Sequence, residues 1–225
     1  MSATVMERLR AGTRGAHDGL EGARFSTAMT DGTLPLDRYV GQLAAYRVVL
    51  EALEGELSRA TDPSVGWVWS EELRKLPLVD RDLNHFGGGE GEDHGGGRAL
   101  AAEAGKAFAR AVRDAAVADP RALLGFLYVM EGSTLGGMLL SPYVTKAYRL
   151  DDGDGTAYYG CGDRGRWARF TARMNAALTA PEAQEPVIAA AREAYRHTAE
   201  ITRALSAGLP SEMPSGPPSG MPAAT

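Results

Sequence analysis

The stretch LRAGTRGAHDGLE, residues 9–21, combines residue types that can do chemistry. At helical spacing Arg10, Thr13, His17 and Glu21 fall on one face, at offsets of three and four. An imidazole binds a transition metal through one ring nitrogen, and a carboxylate one turn on can orient the other. Arg10 lies seven residues before His17 and points almost the same way. At about 1.5 Å per residue it is about 10 Å along the axis, where a guanidinium can meet a carboxylate. That is about the span from the centre of a porphyrin to its propionates, which suits an iron held by His17. Taken alone, the segment fits a partly exposed histidine beside solvated charges better, since most histidines are not ligands.

A second candidate is EGSTLGG, residues 131–137. Each glycine inside a helix costs about 1 kcal/mol relative to alanine, yet Gly132, Gly136 and Gly137 directly follow a strongly apolar run. Gly132 and Gly136 share a face, where a flat ligand can approach the backbone closely, and the adjacent pair can bend the helix. Close helix packing or an early helix end explains the glycines equally well. No Lys-Ser/Thr follows them and no strand precedes them, so neither a phosphate loop nor a dinucleotide fingerprint is present.

Other residues read more plainly. Arg166, Arg169 and Arg173 recur at helical spacing in RWARFTARMN and can meet acidic groups, with Trp167 and Phe170 packed inward. Tyr195 reads as a core aromatic. His85 and His94 border or lie within a glycine-rich loop and read as solvated. His197 has no partner visible in sequence, and Cys161 reads as inert.

The elements that must position these residues are helices. Residues 2–22 carry apolar positions at Val5, Leu9, Ala16 and Leu20. From Asp37 a long amphipathic stripe runs through Val40, Leu43, Leu50, Leu53 and Leu57. Residues 67–76 predict a shorter helix and 78–83 a further turn or two. Residues 86–97 predict a flexible connector, and residues 98–118 an Ala-rich helix. Asp119 and Pro120 mark an N-cap and first helical position for a helix over 119–140, with 142–149 also helical. Residues 152–162 read as a loop and 163–178 as a helix. The last helix spans about 181–207, closed by Gly208. The Pro/Gly/Ser-rich tail 208–225 reads as disordered. With no alternating strand pattern, the fold class is all-α: one domain over residues 1–207, of seven or eight helices.

Composition narrows the function classes. With 225 residues, 44% hydrophobic and 24% charged, the chain can build one large core. A net charge of -5 supplies no basic field for nucleic acid or an anionic membrane. The single cysteine excludes an internal disulfide and a thiolate metal site. No run reads as a signal peptide or as long enough to span a bilayer, so a soluble cytoplasmic protein is expected.

Two of these segments together resemble a known family. Arg10, Thr13, Arg14, His17 and Glu21 keep the spacing of the proximal helix of haem oxygenases. YVMEGSTLGG resembles the distal-helix motif of bacterial members, especially those that accompany bacteriophytochromes. LRKLPLVDRDL is similar to the bacterial type, and RMNAAL with VIAAAREAY to the family's last helices. The resemblance spans roughly residues 5–205 in order, with the two helix motifs as its specific part. It implies a haem-oxygenase-like multi-helix bundle that degrades haem to biliverdin, carbon monoxide and iron. Haem would be both substrate and cofactor, with O2 and an external reductant such as ferredoxin or a flavin-dependent reductase. His17 would be the axial iron ligand. Arg10, Thr13, Glu21 and Tyr195 would complete the haem site, and Gly132, Ser133, Gly136 and Gly137 the distal wall. Animal members carry an Asp where Ser133 stands, and basic residues that hold the second propionate where Trp167 and Thr171 stand. A bacteriophytochrome receiving biliverdin is the partner implied. The competing reading is a haem-binding protein on the same fold that does not consume its haem.

Overall fold

The computed structural model describes residues 3–87, 97–151 and 153–209. Among these residues there are ten α-helices and no strand. The all-α class therefore holds, with more helices than the apolar stripes predict. The helices are α1 (Val5–Glu21), α2 (Arg24–Thr30), α3 (Leu36–Arg59), α4 (Pro63–Val68), α5 (Leu76–His85), α6 (Gly97–Ala118), α7 (Leu123–Tyr148), α8 (Ala157–Gly160), α9 (Arg164–Ala177) and α10 (Pro181–Ser206). The extra ones, α2, α4 and α8, are seven residues or fewer, too short to show a periodic stripe.

Local chemistry sets the helix ends. Thr4 and Glu7 form a capping box at α1: the Thr4 hydroxyl accepts from the Glu7 amide at 3.3 Å, and the Glu7 carboxylate accepts from the Thr4 amide at 2.8 Å. Residues 67–76 do not form the predicted helix. Asp62 caps Ser64 and Val65 with Pro63 at the first turn, so α4 starts earlier and ends at Val68. A 3-10 turn at Glu71–Leu73 follows, and α5 begins with Leu76. The two segments predicted on either side of residue 141 are one helix, α7, which passes through Pro142. Gly208 follows α10 at a φ of 77°, the left-handed position expected of a C-terminal cap.

The core is built on α3, α6, α7 and α10. α3 packs on α6 and α5, while α10 packs on α6, α7 and α1. The first half of α7, Leu123–Glu131, is buried at every position, so its apolarity runs all round the helix. Pro120–Tyr148 has the length and composition to cross a membrane, which corrects the expectation that no run does; half of its most apolar stretch is buried inside the fold, as in a core helix. The connector 88–96, with His94, and the tail from residue 210 lie outside the described residues.

Candidate active site

A cavity of about 500 Å3 lies among α1, α2, α3, α7, α8, α9 and α10. That is within the usual range for small-molecule sites, roughly 300–1,000 Å3. His17, Leu20 and Glu21 contribute from α1, and Phe25 and Met29 from α2. On α7, residues 128–130 and 132–140 supply the longest wall, with the glycine-rich turn inside it. Tyr158 and Tyr159 come from α8, Arg164 and Trp167 from α9, and Tyr195, Thr198 and Thr202 from α10. Its charged or titratable lining, apart from the phenols, is His17, Glu21 and Arg164.

The α1 face divides. His17 stays accessible, its side chain 53% exposed, with Nδ1 3.8 Å from carboxylate oxygens of both Asp18 and Glu21. Those distances are too long for direct hydrogen bonds. The Tyr195 ring meets the imidazole edge-on, with centroids 6.3 Å apart. Burial raises the Tyr195 hydroxyl well above the ordinary phenol range, so it stays neutral. Thr13 does not share this face. It is buried, and its hydroxyl donates to the Leu9 carbonyl at 2.8 Å. At about 100° per residue it sits roughly 60° round the helix from Arg10, enough to turn it into the core with Val5 and Leu9. Arg10 is exposed and outside the cavity lining.

On α7 the glycines have different neighbours. A methyl group on Gly136 would meet nothing within 4 Å. No helix packing explains that glycine, and the space it leaves belongs to the cavity. At Gly132 a methyl would come to 3.4 Å from the Trp167 ring, which also packs on Tyr128 at 5.8 Å between centroids. At Gly137 it would come to 3.2 Å from the Tyr159 carbonyl, so this glycine admits α8 rather than a ligand. Ser133 is exposed to the cavity, and its hydroxyl donates to the Met130 carbonyl at 2.9 Å.

Directly before these glycines, Glu131 is held in a buried ion cluster. Its side chain is 1% exposed, with one oxygen 2.7 Å from Lys75 Nζ and the other 2.7 Å from Arg166 Nε. Arg166 also donates to the Cys161 carbonyl, and Lys75 to the Leu73 carbonyl. The carboxylate thereby ties α7 to α9 and to the segment before α5. Arg169 and Arg173 instead face Glu72. All three arginines of RWARFTARMN thus meet the protein's own carboxylates. Thr171 lies outside the cavity lining, its hydroxyl donating to the Ala168 carbonyl.

Three further residues fall away from the cavity. His85 is exposed. His197 is buried against Phe108, ring stacked on ring at 5.1 Å, and burial lowers its pKa. Cys161 is half-buried with its thiol pushed up by burial, as befits an inert cysteine.

Several lining residues had no mark in the sequence pattern: Arg164, Gln42, Tyr46, Tyr158 and Tyr159. Two adjacent tyrosines inside DGDGTAYYGCG were a usable signal, because bulky aromatics in a Gly/Asp loop need something to pack against.

A sequence profile of the heme oxygenase family matches residues 3–204. The chain is 26% identical over 180 residues to heme oxygenase 1 of Nostoc sp., an alignment covering 79% of this chain and 74% of that protein. To heme oxygenase 1 of Synechocystis sp. it is 27% identical over 161 residues, covering 71% of this chain and 65% of the relative's length. The fold resembles the crystal structure of Synechocystis heme oxygenase-2 in complex with heme and NO, with a TM-score of 0.79 at 18% identity, over 91% of this chain and 86% of that one. With the profile spanning nearly all the described helices, the chain belongs to the heme oxygenase family.

Proposed function

We propose that this chain is a haem oxygenase, converting haem, O2 and electrons to biliverdin, carbon monoxide and iron. The observation that carries the reading is Gly136: a helical glycine that no protein atom requires, opening onto the cavity that His17 also lines. The residues fit the group. His17 offers Nε2, which makes no hydrogen bond to a described residue, and the apolar walls of Phe25, Met29 and Trp167 suit a flat macrocycle. Bound there, haem supplies both the metal that activates O2 and the ring that is oxidised.

The protein's own contribution is position. His17 fixes the group from α1, and Glu21 holds the imidazole's tautomer through a water. The glycine turn lets the α7 backbone approach: Gly132, Ser133 and Gly136 shape that wall, while Gly137 lets α8 close against it. Arg164 at the cavity and Arg10 on the exposed side of α1, neither with a described partner, are the cations offered to the propionates. Tyr195 packs edge-on beside His17 and limits how the imidazole can turn. The reading calls for an external donor, a ferredoxin or a flavin-dependent reductase, and a cytoplasmic setting. A bacteriophytochrome is a fitting receiver of the biliverdin; the distal-helix resemblance supports that pairing.

The test is hemin added to the purified protein, followed by ascorbate or a ferredoxin reducing system in air. A sharp Soret band that decays into biliverdin absorbance with release of carbon monoxide is expected. His17→Ala should lose the normal Soret band and turnover. A variant with both unchanged removes His17 from its role, and a wild-type complex that never decays makes the protein a haem binder only.

A further inference from the structure

The tyrosines around α8 differ in one respect. Tyr39 donates its hydroxyl to the Gly155 carbonyl at 2.7 Å, Tyr148 to the Leu34 carbonyl at 2.9 Å, and Tyr159 to the Gln42 side chain. Tyr158, on the same cluster and 4% exposed, has a buried hydroxyl that meets hydrogen-bond geometry with no described residue. Buried phenols are normally satisfied, and leaving one unpaired is unfavourable. Neither solvent nor a ligand touches this oxygen directly, so its partner has to be a protein group on the cavity side.

That side is occupied by Ser133. Tyr158 and Ser133 both line the cavity, and the Ser133 hydroxyl lies within hydrogen-bonding reach of the Tyr158 hydroxyl. Ser133 presently donates to the Met130 carbonyl, and a hydroxyl retains two acceptor lone pairs. It can therefore accept from Tyr158 while turning its own proton to an oxygen atom in the cavity.

The phenol is also held still. Asp82, fully buried on α5, accepts from the amides of Ala157 and Tyr158 at 2.7 and 2.8 Å, fixing the start of α8. The Tyr46 ring meets the Tyr158 ring edge-on at 5.8 Å. A donor fixed before the ligand arrives needs no reorganisation when charge develops.

We propose that Tyr158 is a positioning residue: its hydroxyl donates to Ser133 and so turns the Ser133 proton to the oxygen atom held on the α7 side of the cavity, a water at rest and the oxygen substrate in turnover. This rests on the haem oxygenase reading. Burial keeps the phenol protonated far into the alkaline range, so the donor is present at every working pH.

The test compares Tyr158→Phe and Ser133→Ala with the wild-type chain, each with and without hemin. Without hemin, Tyr158→Phe should melt at about the same temperature, since Ser133 keeps its bond to the Met130 carbonyl. With hemin, the pH midpoint between the acid and alkaline spectra of the ferric complex should rise. A lost donor disfavours the more anionic oxygen. Reductive turnover should fall about tenfold, the worth of one good hydrogen bond to developing charge. Ser133→Ala should reproduce both effects, with little further loss in the double variant. An unchanged midpoint and turnover in Tyr158→Phe overturns the proposal while haem degradation by the wild type stands. A hemin-free melting temperature that falls, with the haem complex unaltered, makes the hydroxyl structural and overturns it too. A wild-type chain that leaves hemin unbound overturns the functional reading, and this proposal with it.

Discussion

The two halves of α7 use glycine for opposite ends. In the first half, a methyl on Gly125 would run into the Val187 carbonyl oxygen and stand 2.8 Å from the Ala191 amide. The glycine exists so that α10 can cross at that point. In the second half Gly136 faces no protein atom within 4 Å. The first glycine is explained by the protein's own packing; the second is not, and it opens on the cavity. A glycine's role is thus decided by its neighbours and not by its helix, which is why one residue type serves both the core and the site. Glu131 stands at the junction between the halves.

The largest expected effect comes from breaking that junction. Glu131→Leu takes away the carboxylate 2.7 Å from Lys75 Nζ, whose side chain is 3% exposed, and breaks its buried ion pair. Removing one partner of a buried pair costs about 3–5 kcal/mol. For a chain of this size that is roughly a 6–20 °C fall in melting temperature at about 2–4 °C per kcal/mol. Adding Lys75→Met should recover part of the loss, since an apolar replacement of both partners is tolerated far better than an orphaned charge. Circular-dichroism melts of the two variants check this. A Glu131→Leu protein as stable as wild type would mean that the cluster does not hold the two halves of α7 in place.

Gly125→Ala comes next. The nearest atoms in the way are backbone, so no side chain can swing aside and α10 has to shift. Overpacking of this kind costs about 1–3 kcal/mol, occasionally more. Urea unfolding should show a lower midpoint with an unchanged slope. Unchanged stability would mean that the α7–α10 crossing relaxes freely, and the contrast between the halves would lose its packing side.

The fold was legible in the sequence where helices are long. The stripes of α3, α6, α9 and α10 were visible because each buries one face or more over many turns. α2, α4 and α8 were not, because a helix of one or two turns is specified by its caps and its tertiary packing. At the site, His17, Glu21 and the glycines were legible as spacing and Tyr195 only through the family resemblance; all of them line one cavity. Thr13 was misplaced because a pattern of threes and fours spans a broad arc, and burial of Val5 and Leu9 chose its side. Tyr158, Arg164 and the Lys75–Glu131–Arg166 cluster were hidden. Arg166 stands 35 residues from the Glu131 it pairs with, and Lys75 lies on a different element again. No local pattern encodes a pairing at that range.

The smallest effect on stability, and the sharpest test of the contrast, belongs to Gly136→Ala. With open space around the new methyl, the folded chain meets no clash. Alanine is the better helix former, so the variant should be as stable as wild type or up to about 1 kcal/mol more stable. The same methyl stands where a flat ring would lie against the backbone. Hemin titration should therefore show weaker binding, by about tenfold for each 1.4 kcal/mol of binding energy the methyl removes, together with a displaced Soret maximum. Stability gained with affinity lowered is the signature of a residue kept for its ligand. If Gly136→Ala binds hemin as tightly as wild type, the second half of α7 is open for some reason other than a macrocycle. The helix would then have been given two glycine roles where it has one.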